Sequence, residues 1–114
     1  MTPTGSVGDW LNASLLDAPP DLARRMRASI PSEGTSASVA SGVEVLASAA
    51  ASELRALLAD GCGDRSAAPG LLTVDALVTQ ACELLAVTGE DVESGALIVL
   101  ERLMQGAAEW DEWA

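Results

Sequence analysis

The chain contains no lysine, histidine, phenylalanine or tyrosine, and its 114 residues include only two cysteines and three tryptophans. Each absence removes a class of function. Without histidine the commonest general base and metal ligand is missing, and the Glu-x-x-His pattern of di-metal helical bundles cannot form. Without lysine there is no Schiff-base amine and no phosphate loop of the Walker type, and the segment Gly61-Cys62-Gly63-Asp64-Arg65-Ser66 has the wrong spacing for one. Two cysteines are too few for a disulfide framework. Strand-favouring aromatic clusters are absent, and no alternating pattern runs over a useful length. Positive charge is scarce. Six arginines stand against seventeen acidic residues, a formal net charge of −11. A phosphate backbone needs a basic footprint, so direct nucleic-acid binding is not expected. An anionic membrane surface is disfavoured for the same reason. No cofactor or metal ligand set is recognisable, and Asp60 to Asp64 lacks the distal glutamate of a calcium loop.

What the chain does have is aliphatic: 49% hydrophobic residues, rich in alanine and leucine. The densest apolar periodicity lies in residues 71 to 105. Val74, Leu77, Val78, Ala81, Cys82 and Leu85 recur at three- and four-residue steps, with Asp75, Thr79 and Glu83 opposite, which reads as one helix over 73–88. Thr73 is the expected N-cap and Gly89 the expected left-handed stop. A second helix over 91–107 opens on Asp91 as its cap. Its expected inward face is Val92, Ala96, Val99, Leu100, Leu103 and Met104. Leu97 and Ile98 make it apolar over more than half its circumference, as in a helix central to a core or covered by a second chain. Its apolar run Ala96 to Leu100 falls short of the roughly 20 residues a bilayer span needs.

The third core helix is expected over about 37–60, beginning near Ser36 or Ser38. Its inward residues are Val39, Val43, Leu46, Ala50, Leu54 and Leu57, its alanines 47–51 offer a close-packing surface, and Gly61 is its stop. Residues 61–72 read as a loop. Residues 1–8 are expected to be loose. Asp9 to Leu16 forms a short helix anchored by Trp10, and Pro20 opens a second at residues 21–30, with Leu22, Ala23, Met26 and Ile30 inward and Arg24, Arg25 and Arg27 outward. Residues 32–38 read as a linker. The expected fold is therefore all-α, a small helical bundle of three core helices. An N-terminal arm (1–36) of one or two short helices precedes a core domain (37–114) with an acidic, tryptophan-containing tail.

Four features carry candidate function. Arg24, Arg25 and Arg27 are the sole positive cluster: residues 21–30 are net +2, the remainder −13. Glu93, Glu101 and Glu109 repeat every eight residues, an acidic stripe on the last helix. Trp110, Asp111, Glu112 and Trp113 form a terminal motif suited to an apolar pocket with a basic rim. Cys82 is expected on the core face as a small hydrophobe. Cys62 lies near a helix C-terminus, where the dipole disfavours a thiolate. The composition favours a non-catalytic protein-interaction module, homodimeric and cytoplasmic, binding a protein partner through an acidic face or the tail. Glu101, Glu109 and the 110–113 motif are its candidate contacts. Two alternatives compete with it: an acidic mimic of nucleic acid that occupies a DNA-binding protein, and a thiol-based redox-responsive protein using Cys62.

Overall fold

The architecture follows from one helix built of small residues. A computed structural model describes residues 5–61, 63–88 and 91–108. These form six α-helices and no strand: α1 Val7–Ser14, α2 Pro20–Ala28, α3 Ser32–Thr35, α4 Gly42–Asp60, α5 Ala68–Thr88 and α6 Val92–Ala108. Short 3₁₀ turns, Val39–Ser41 and Arg65–Ala67, lead into α4 and α5. Ala47, Ala49, Ala50 and Ala51 of α4 are all buried. Side chains this short let neighbouring helices come close, so α4 packs extensively against both α5 and α6. Leu84 of α5 seats over Gly42, and Leu57 of α4 seats over Gly70, so α4 and α5 run antiparallel. Glu44 pairs with Arg102, and Gly106 abuts Ala51, so α6 runs parallel to α4.

The closest approach is at Gly106. A Cβ built there would lie 2.7 Å from the backbone carbonyl oxygen of Ala51. Backbone cannot swing aside as a side chain can, so glycine is required for α6 to rest on α4 at this point. The buried residues of α6 are Gly95, Val99 and Gly106. The bulkier set predicted to face inward is turned away: Val92, Ala96, Leu100 and Met104 are exposed, and of the expected face only Val99 is buried and Leu103 half-buried. Small residues took the packed side because Gly106 meets the Ala51 backbone of α4 and Gly95 meets the Leu85 side chain of α5, each closer than a larger residue would allow.

The N-terminal arm belongs to the same core. Val7, Leu11, Leu15, Ala23, Met26 and Ile30 join Leu46, Leu77 and Leu84 in one buried cluster. Residues 6–8, expected to be loose, are ordered by a capping box: Ser6 accepts from the Asp9 N–H while Asp9 accepts from the Ser6 N–H. The Val7 N–H also donates to the Ala37 carbonyl at 2.9 Å. Helix α1 accordingly begins two residues earlier than the pattern suggested. The segment predicted as a linker, 32–38, contains the single turn α3. The third core helix begins at Gly42 instead of near Ser36 or Ser38.

Two polar residues on α5 correct the reading most. Thr73 is no cap. It lies one turn inside α5, is fully buried, and donates its hydroxyl to the Pro69 carbonyl at 2.8 Å. The helix starts at Ala68, with Pro69 in its first turn, where the missing N–H costs no intrahelical bond. Much of the predicted 61–72 loop is therefore helical. Gln80 is also buried; its carbonyl oxygen accepts from the indole N–H of Trp10 at 3.1 Å. Cys82 is exposed, not on the core face. The core side of α5 at this level is held by Ala81, Leu84 and Leu85.

The helix starting before Thr73 has a further consequence. The stretch Arg65–Thr88 has the length and apolar composition to cross a bilayer, with a mean hydropathy of 1.5 over its most apolar window. Here its Leu77, Ala81 and Leu84 are fully buried against other helices, and Asp75 and Glu83 are exposed along it.

The shortest extent of the molecule is 21 Å. This is roughly two helix diameters of about 10–12 Å each. In a body this thin α6, apolar over more than half its circumference, leaves part of that apolar surface uncovered.

Candidate interaction surfaces

That uncovered face is on α6. Leu97 and Leu100 are each 51% exposed and Met104 is 61% exposed. They follow at steps of three and four, so they form a single stripe. Val92 is exposed at its start, and Val87 at the end of α5. Ile98 is exposed on a different side of the helix, about 200° round from Leu100 at about 100° per residue. Glu101 is exposed beside the stripe, and Glu93 near its beginning. Sequence reasoning placed Leu100 and Met104 inside. The signal that locates them correctly is the spacing of Gly95, Val99 and Gly106, which marks the close-packed side.

Helix α6 is fixed at its N-terminus by Asp91. Its carboxylate accepts from the Glu93 and Ser94 N–H groups and from the Ser94 hydroxyl, the last at 2.9 Å. The hydroxyl bond, then the backbone bonds, hold the Asp91 pKa below its ordinary value of 3.8. Asp91 is thus the cap the sequence predicted. Gly89, the expected stop of α5, lies outside the described residues.

The arginine cluster is divided among different tasks. Arg24 pairs with Asp21 at 2.7 Å on the surface. Arg25 donates through Nε to the buried Thr73 hydroxyl at 3.1 Å, tying α2 to α5. Arg27 is exposed and, two residues on from Arg25, points about 200° away from it. Beside Arg25 is an apolar notch of about 230 Å³ lined by Pro19, Asp21, Leu22, Pro69 and Leu72, with Leu72 59% exposed.

A larger open groove, about 300 Å³, runs between α3 and α4. Ser41, Ser48 and Ser52 line it with Glu33 and Glu44. Two of its polar groups are engaged elsewhere. Glu44 binds Arg102, and Ser29, at one end, donates to Glu53 at 2.9 Å. Among the described residues no buried side-chain nitrogen or oxygen lacks a partner, and no three metal-ligating side chains converge. Cys62, Glu109 and the motif Trp110, Asp111, Glu112 and Trp113 lie outside the described residues. No known protein family, curated protein or solved structure matches the chain.

Proposed function

We propose that this protein is a non-catalytic interaction module that pairs with a second copy of itself through the exposed stripe of α6. The observation that carries the reading is the half-exposure of Leu97, Leu100 and Met104 on one helix face. Each such side chain, already about half covered, gains on the order of 1 kcal/mol when the rest is covered. A two-fold axis near Leu100 would cross two α6 helices antiparallel, setting Leu100 on Leu100 and Leu97 near Leu103. In that register Glu93 faces Ala107 of the other copy, and the two Glu101 carboxylates flank the axis on the exposed rim, where solvent and salt screen them. Isologous pairing of this kind is the commonest way small helical proteins close their symmetry.

Sedimentation velocity tests the proposal. The native chain should sediment as a dimer. The double variant Leu97→Glu, Leu100→Glu should sediment as a monomer with its helical circular dichroism intact, since both side chains lie outside the core. A native chain that stays monomeric at about 1 mM, the range of the weakest useful affinities, overturns the reading. Capture of a basic partner by that monomer would point instead to the acid-flanked face as a heterologous surface.

A further inference from the structure

Leu22 of the notch also lines a second, larger recess, to which no residue of α6 contributes. This groove of about 350 Å³ lies between the α1–α2 connection, α2 and α5, and its volume falls within the roughly 300–1,000 Å³ of ligand sites. Its floor is apolar: Leu15 and Met26 are buried, Leu22 and Ala76 half-buried. Its rim carries two carboxylates, Asp17 of the connection and Asp75 of α5. Both are exposed, and neither is in an ion pair among the described residues. Arg25 lines the neighbouring notch and is bonded to Thr73 instead.

Two carboxylates over apolar side chains attract cations in general. Gln80 makes the demand more specific. Its side chain lines the groove and is only 9% exposed. An indole N–H can only donate, so the bond from Trp10 fixes which end of the amide is the oxygen. The amide nitrogen is thereby turned away from Trp10 and has no partner among the described residues. Since no buried side-chain nitrogen there is left unpaired, this one is open to solvent, and the groove is the opening that Gln80 lines. A donor held almost wholly inside the protein calls for an acceptor that enters from outside. Thr79, also on the rim, donates its hydroxyl to the Asp75 carbonyl at 2.9 Å and so offers a ligand only lone pairs.

We propose that this groove binds one arginine of a partner protein. The guanidinium meets Asp17 and Asp75, the aliphatic stem lies over Leu22 and Ala76, and the residue's backbone carbonyl accepts from the Gln80 amide nitrogen. Opposite charge supports this at the groove and over the whole molecule, which carries −11. Arginine suits the rim better than lysine, because its planar fork of N–H donors can serve both carboxylates and the Thr79 hydroxyl at once. Its stem is apolar and packs on the floor while the charged head stays at the rim. A peptide carbonyl meets Gln80 without bringing a further negative charge beside the aspartates, as the carboxylate of free arginine would.

Heteronuclear NMR on the full chain tests this, with N-acetyl-arginine amide as the probe. At low salt the side-chain amide of Gln80 and the indole N–H of Trp10 should shift together and saturate, while the backbone signals of Glu93 and Glu101 on α6 stay in place. Asp17→Asn with Asp75→Asn should weaken binding by about tenfold or more, as for the loss of charge-assisted hydrogen bonds. Both aspartates are exposed, so the variant should keep its helical circular dichroism. N-acetyl-citrulline amide, which has the same shape without the charge, should bind about tenfold more weakly or less. No saturable shift at Gln80, an unchanged affinity in the double variant, equal binding of the citrulline probe, or equal shifts along α6 overturns the proposal. Tighter binding of free arginine than of the amide also overturns it, because the groove would then serve a small zwitterion and not a partner's side chain. Pairing through α6 is read separately, since Leu97→Glu with Leu100→Glu alters no residue that lines the groove.

Discussion

At Gly106 a single hydrogen atom in place of a methyl group sets the separation of two helices. Gly106→Ala should destabilise the fold by about 1–3 kcal/mol, the usual range for overpacking a tight contact, although alanine is the better helix former by about 1 kcal/mol. Urea denaturation decides between these opposed effects, and increased stability would mean α6 can lift from Ala51 without loss. Asp91 gives a second residue-level prediction. Its carboxyl is more acidic in the folded chain than the ordinary 3.8. Its stabilising contribution is therefore complete above the ordinary value and is lost as the pH falls through the lowered folded one. The stability gap between the native chain and Asp91→Ala should be constant near neutrality and close in acid. A gap that persists below the folded pKa would show that the cap acts without its charge. Thr73 shows why single residues mislead a reader of sequence. A threonine before a run of apolar residues has the form of an N-cap, but here Pro69 already starts the helix, and the hydroxyl serves α5 and Arg25 from inside.

Among the elements, the three long helices were legible because their periodicity is strong, and α4 was readable as the packing platform from its alanines. The inward face of α6 was not. Hydrophobicity predicts which residues avoid water, but close helix contact selects for smallness, and Gly95 and Gly106 displaced Leu100 and Met104 from the interior. Cys82 was misplaced for a related reason: the apolar set of α5 is broader than its buried set, and Gln80 took an interior position by bonding Trp10. The short connections were the least legible: Val7 and Val39 are anchored by carbonyls distant in sequence, those of Ala37 and Gly5, while the local capping box of Ser6 with Asp9 lies in a stretch whose polar and turn residues suggested a loose end. Between α4 and α6 the Arg102–Glu44 pair is partly solvated, with side chains 38% and 56% exposed. Partly exposed pairs of this kind contribute about 0–1 kcal/mol. Glu44→Gln should thus shift the urea midpoint slightly, by far less than Gly106→Ala. A loss as large would assign the α4–α6 register to the ion pair instead of to the small residues.

For the whole molecule, thickness is the governing quantity. The packed helices bury one side each of the arm, α4, α5 and α6, and leave the apolar opposite side of α6 without a cover. The sequence signalled that surplus of apolar surface as an over-wide helix, but the residues forming it were identifiable only after the packed side was known. The notch at Pro19, Leu22, Pro69 and Leu72 was invisible to sequence reasoning altogether, because it is assembled from two elements distant in sequence, which meet through the shared core and the Arg25–Thr73 bond. Net charge acts at this scale too. At −11, repulsion between copies weakens as salt is added. Self-association through the apolar stripe should accordingly strengthen with ionic strength, whereas binding to a basic partner would weaken.

Trp10 is the one tryptophan among the described residues, and its indole N–H is tied to Gln80 in the flank of α5. A chain carrying Trp110→Phe and Trp113→Phe would emit from this ring alone. Its fluorescence would then be a built-in optical gauge of whether the first thirty residues stay clamped to the bundle. Release of that clamp would register as a red shift in emission, on a time course that can be compared directly with the melting of the helices themselves.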